Sequence, residues 1–111
     1  GQLVKGDFEG RGEFKFEDGG HYVGEVHKDK KHGSGSMTYA SGNKYVGQYR
    51  EGKKHGHGVM TFKKSGNKYD GEWSDDKKAG KGTFLWADGT KYVGDWEEDD
   101  MHGRGVKTRP N

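Results

Sequence analysis

From Tyr69 onward the side chains alternate with a period of two. Tyr69, Gly71 and Trp73 share one side, and Asp70 and Glu72 share the other. A charged turn follows, and Gly80, Gly82, Phe84 and Trp86 resume the first side. Alternation of this kind marks half-buried strands, and no stretch of the chain shows helical spacing. The same pattern recurs at Tyr22, Gly24, Val26, Gly33, Gly35, Met37 and Tyr39. It appears again at Tyr45, Gly47, Tyr49, Gly56, Gly58, Met60 and Phe62, and at Tyr92, Gly94, Trp96, Gly103 and Gly105. A partial copy opens the chain with Val4, Gly6, Phe8, Phe14 and Phe16. Each unit predicts one antiparallel hairpin, with Lys28 to Lys31 as the turn of the first full one.

The spacing is regular. Gly24 to Gly33, Gly47 to Gly56, Gly71 to Gly80 and Gly94 to Gly103 are each 9 positions, and the lead tyrosines step by 23, 24 and 23. A fixed period of this size means units that each bury little alone and become stable by stacking on their neighbours. The expected organisation is one domain over 1–111: a truncated repeat at 1–21, full repeats at 22–44, 45–68 and 69–91, and an incomplete one at 92–111. The extra residue at Lys63 or Lys64 predicts a bulge or a longer loop.

Glycine has a steric use here. A ring lying flat across a neighbouring strand needs a position without a side chain beneath it. The glycines are expected to form a groove that the aromatics fill, each buried ring stabilising by about 1.5–3 kcal/mol. With Gly71 opposite Gly82, the polar face would pair Glu72 with Lys81, Asp95 with Arg104 and Gln48 with His57 inside each hairpin. Ser41-Gly42-Asn43, Ser65-Gly66-Asn67 and Asp88-Gly89 read as turns joining successive hairpins.

Composition alone points elsewhere. With 26% hydrophobic and 34% charged residues, the chain resembles a disordered one. The periodic placement of its 22 glycines and 13% aromatics argues for an ordered but thin protein. There is no cysteine, hence no disulfide or thiol chemistry, and no apolar run long enough for a membrane span or signal peptide. A cytoplasmic location is the expectation. A start at Gly1 is expected of a processed chain or an excised segment. The balance of 20 basic and 18 acidic residues gives no reason to expect nucleic acid.

Candidate chemistry is sparse. A single sheet offers few concave, partly dry sites of the kind catalysis needs. The carboxylates of Glu97 to Asp100, and of Asp75 and Asp76, fall in turns and read as solvated. His32, His55 and His102 occupy equivalent repeat positions, and His55 and His57 lie two apart, but repetition at one position is better explained by turn geometry than by a metal site. No enzyme activity, cofactor, metal or small-molecule substrate is expected. Lys28, Lys30, Lys31, Lys53, Lys54, Lys77 and Lys78 would line one long edge, a candidate contact for anionic lipid. Tyr45, Tyr49, Tyr69, Trp73, Trp86, Tyr92 and Trp96 would anchor a protein partner if the groove stays partly open.

The motif Tyr-x-Gly-x-aromatic, with Gly-x-Gly nine positions after the first glycine, then an aromatic and a closing glycine, resembles the MORN repeat (membrane occupation and recognition nexus). The departures are Val26 in place of an aromatic, Ala79 in place of a histidine, and Lys107 and Arg109 at apolar positions of the last unit. The resemblance implies an all-β, elongated, twisted single-layer sheet of tandem antiparallel hairpins. It also implies binding, scaffolding or tethering, in cytoskeletal or peripheral-membrane settings. The function expected is a non-catalytic module that binds a protein, a helix among the candidates, or a second copy of itself. The alternative is a peripheral module for anionic phospholipid carried by the lysines.

Overall fold

The computed structural model describes residues 10–28 and 30–110. Among them the elements are β1 (Gly10–Lys15), β2 (His21–His27), β3 (Lys30–Thr38), β4 (Lys44–Arg50), β5 (Lys53–Thr61), β6 (Lys68–Ser74), β7 (Lys77–Leu85), β8 (Lys91–Glu97) and β9 (Asp100–Thr108). They form one antiparallel sheet in which spatial order equals chain order. The all-β single-layer expectation holds. Val4, Gly6, Phe8 and Asp29, which the repeat pattern also uses, lie outside the described residues. The molecule extends 52 × 25 × 17 Å with a radius of gyration of 15.3 Å. A compact chain of this length would have about 13 Å.

Hairpin turns are short. Glu51-Gly52, Asp75-Asp76 and Glu98-Asp99 each place both central residues at positive φ, the two-residue turn whose twist matches that of the flanking strands. The first turn is correspondingly smaller than expected: β3 already begins at Lys30, so Lys30 and Lys31 are strand residues. Between hairpins, the connections span 39–43 and 86–90, but 62–67 after β5. The extra residue at Lys63 or Lys64 therefore lengthens this loop. Asn43 and Asn67 link consecutive loops, their Oδ1 atoms accepting from the N–H groups of Lys63 and Ala87 at 3.0 Å each.

Within each hairpin the register shifts once. Gly71 faces Gly82 but Trp73 faces Lys78, so two residues of one strand stand against four of the other. Equivalent shifts follow Gly24, Gly47 and Gly94. The bulged strand holds Gly33, Gly56, Gly80 and Gly103 at φ between 60° and 77°, which explains the first glycine of each Gly-x-Gly.

The second glycine has the steric role. Gly12, Gly24, Gly35, Gly47, Gly58, Gly71, Gly82, Gly94 and Gly105 face one another in an unbroken line across the sheet. Tyr22, Tyr45, Tyr69 and Tyr92 lie over this line, and a Cβ on Gly35, Gly58, Gly82 or Gly105 would collide with the ring. Each hydroxyl donates to the backbone carbonyl three residues on: Glu25 at 2.6 Å, Gln48 and Glu72 at 2.8 Å, and Asp95 at 3.0 Å.

The register shift also corrects the expected charge pairs. Glu72 stands opposite His57, Lys81 opposite Asp95, and Gln48 donates to Ser34 Oγ at 3.1 Å, so the pairing joins neighbouring hairpins. Inside the last hairpin Asp95 instead accepts from the Arg104 backbone N–H at 3.1 Å. Counting by twos from Gly71 fails because the bulge inserts residues beyond it.

Candidate functional site

The rings form a continuous edge-to-face chain along the sheet. Tyr22 packs on Tyr49 at 5.5 Å, Tyr45 on both Tyr49 and Trp73 at 5.1 and 5.6 Å, and Tyr69 on both Trp73 and Trp96 at 5.1 and 5.2 Å. Tyr92 closes the chain on Trp96 at 5.4 Å. The indole N–H groups of Trp73 and Trp96 donate to the carbonyls of Gly58 and Gly82 at 3.1 Å. Burial raises the phenols: Tyr22 is pushed up to about 12, and Tyr45, Tyr49 and Tyr69 are raised as well.

Of the anchors expected from sequence, Tyr45, Tyr49, Tyr69, Trp73, Tyr92 and Trp96 are at most 7% exposed. They are occupied by packing on one another. Trp86 is half-buried, with Lys107 Nζ 4.9 Å above its ring. It belongs to a row, Phe16, Tyr39, Phe62 and Trp86, whose members directly follow β1, β3, β5 and β7, with Met37, Met60 and Phe84 beside them; of the four, the sequence reading named only Trp86 as a binding residue. All are partly buried; Phe62 stacks on Phe84 at 6.2 Å and the others pack against the core. Their equivalence in the repeat was the available signal. On the reverse face Val46, Val93 and Val106 are the more exposed aliphatics.

The lysines divide into two sets. Lys28, Lys30, Lys53 and Lys77 are exposed, and Lys77 meets Glu98 at 3.1 Å. Lys31, Lys54 and Lys78 turn inward over the rings. Lys54 Nζ lies 5.8 Å from the centre of Tyr45 and 5.2 Å from that of Trp73. Lys78 Nζ lies 5.7 Å from both Tyr69 and Trp96. The expected seven-lysine edge therefore presents fewer charges to a surface. Long stems cover apolar rings while the ammonium reaches the rim. Met101 occupies the equivalent position facing Trp96, consistent with a site that selects an unbranched stem.

The histidines are spread along the sheet, with one close pair. His57 meets Asp70 at 3.0 Å and His102 meets Glu97 at 3.1 Å, while His27 and His32 pack ring on ring at 5.5 Å. Among the described residues no group of three metal-ligating side chains comes together. No helix among them is long and apolar enough to cross a membrane.

The MORN-repeat family model matches residues 1–21, 22–44, 45–66, 69–91 and 92–111. The chain belongs to the MORN-repeat family. MORN repeats are in general non-catalytic modules of protein and membrane interaction. No curated protein matches the chain. The glycine line and the tyrosines above it are thus the structural content of this MORN motif, and its bulge glycines set the hairpin register.

Proposed function

We propose that this MORN chain is a non-catalytic interaction module that binds a helical segment of a protein partner along the row Phe16, Tyr39, Phe62 and Trp86. The observation that carries the reading is the partial burial of these side chains at one position per repeat, where the inner rings are covered. Two strands advance the sheet by about 9.6 Å. A helix returns to the same face after seven residues, about 10.5 Å. An apolar heptad stripe therefore meets one ring per repeat with little mismatch.

Peptide display against the folded chain tests this. Enriched sequences should carry apolar residues at helical spacing and lose at least tenfold in affinity when Tyr39, Phe62 and Trp86 are changed to Ser. Peptides that bind this variant as well as the wild type would refute the row as the binding surface. Co-sedimentation with phosphatidylserine vesicles, lost in Lys30→Glu/Lys53→Glu, would instead favour the lipid alternative. Light scattering on the same sample reports self-association.

A further inference from the structure

The three inward lysines are not equivalent in one respect. Asp76, the second residue of the next hairpin's turn, is joined to Lys54 in both directions: its Oδ1 accepts from the Lys54 N–H at 2.8 Å, and its N–H donates to the Lys54 carbonyl at 3.1 Å. The same carboxylate lies 3.5 Å from Lys54 Nζ. Asp99 repeats every element of this on Lys78, at 2.8, 3.1 and 3.6 Å. At Lys31 the turn residue is Gly52. Its N–H still donates to the Lys31 carbonyl at 2.8 Å, so the backbone half of the arrangement is kept. The carboxylate half is missing, and among the described residues none replaces it.

The space is kept too. Gly52 has φ +85°, close to the 71° and 72° of Asp76 and Asp99, and a Cβ placed on it would meet nothing within 4 Å. A hollow of about 180 Å³ opens there between Phe16, Val26, Lys31 and Gly52. Lys31 Nζ stands over the rings of Phe16, Tyr22 and Tyr49 at 6.0, 5.8 and 5.6 Å. A half-buried cation loses part of its hydration and gains from any anion that can reach it. Burial lowers the Lys31 pKa; the Asp76 carboxylate opposes this shift and the Lys54 charge adds to it.

We propose that the hollow at Lys31 and Gly52 is a binding site for a carboxylate group supplied from outside the described fold, held as Asp76 and Asp99 are held one and two hairpins further on. The backbone N–H and the ammonium of Lys31 are its two donors. A neutral acceptor gains less from the ammonium than a carboxylate does, because the bond to the anion is assisted by charge on both sides. Phe16 borders both this site and the outer aromatic row, but both donors belong to Lys31, so the site does not depend on that row taking a partner.

Amide NMR of the intact chain tests the site, with sodium acetate as the probe and sodium chloride at equal ionic strength as the reference. The Lys31 and Gly52 amides should shift saturably with acetate alone. Gly52→Asp should weaken this response at least tenfold, because the new side chain fills the site, and its dispersed spectrum reports that the sheet is intact. Conversely, Asp76→Gly should create the same response at Lys54. Poly-glutamate then separates the sources of the group: occupancy at a carboxylate concentration tenfold below that of acetate supports an acidic protein segment, and equal concentrations support a free carboxylate. Absence of a saturable shift in the wild type, or an undiminished one in Gly52→Asp, overturns the proposal.

Discussion

Gly82→Ala isolates the steric role of the glycine line. The backbone at Gly82 lies outside the left-handed region, so alanine there meets no conformational penalty. Its Cβ would nevertheless collide with the Tyr69 hydroxyl and lie 2.5 Å from Tyr69 Cζ and 2.6 Å from Cε1. Carbon atoms in contact prefer about 3.5–4.0 Å, so the ring must retreat by about 1 Å. Tyr69 has no room for this: it is 0% exposed and wedged between Trp73 and Trp96. Overpacking of this kind costs about 1–3 kcal/mol, and displacing the hydroxyl from the Glu72 carbonyl adds about 1 kcal/mol. A loss of about 2–4 kcal/mol is expected in urea unfolding followed by tryptophan fluorescence. Gly52→Ala is the control, because its surroundings are open and only its positive φ counts, at about 1–2 kcal/mol. The double variant Tyr69→Leu/Gly82→Ala should fall short of additivity by at least about 1 kcal/mol. A Gly82→Ala change within about 0.5 kcal/mol of wild type, or strict additivity, would refute the reasoning.

Tyr45→Phe and Tyr69→Phe should each cost about 1 kcal/mol for the lost bond to a carbonyl. Among the described residues the buried Tyr49 hydroxyl has no partner in full hydrogen-bond geometry, Tyr39 being near enough only to interact with it weakly, so Tyr49→Phe should be neutral or stabilising in the same assay. Because folding raises the phenols of Tyr22, Tyr45, Tyr49 and Tyr69 above 10.0, their contribution is complete below pH 10 and declines as pH rises beyond it; the melting temperature should fall over that range while the unfolded tyrosines ionise. An unchanged melting temperature to pH 12 would contradict the burial of these hydroxyls. Gly52→Asp should raise the melting temperature by about 4 °C, since a half-exposed pair and one charge-assisted bond together contribute about 1 kcal/mol after the cost of aspartate at positive φ.

The hairpin repeat and the tyrosine-over-glycine packing were legible because both depend on period and residue size. Gly82 beneath Tyr69 follows from strand alternation alone. The pairing of Lys81 with Asp95 was not legible, because the two-residue excess beyond Gly71 cannot be seen by counting a strand as regular. Nor was the inward turn of Lys31, Lys54 and Lys78, since a lysine doublet beside a turn looks uniformly solvated. Alternation across each doublet, and Met101 at the fourth equivalent position, were the clues. Phe16, Tyr39 and Phe62 were placed on the groove face without distinction from the inner rings, whereas a sheet one layer thick leaves part of each uncovered.

The clasp between Lys54 and Asp76, and between Lys78 and Asp99, crosses a repeat boundary each time, as do the indole bonds of Trp73 and Trp96. The unit of construction is therefore the joint between two hairpins. Excising 45–68 would bring the Asp75-Asp76 turn behind Lys31, giving a shorter sheet whose first joint is already filled. Insertion or loss of a whole repeat leaves the folding rules unchanged but opens or closes a pocket, according to the single turn residue that arrives next to the lysine. Chain length and ligand capacity can in this way be inherited together, one repeat at a time.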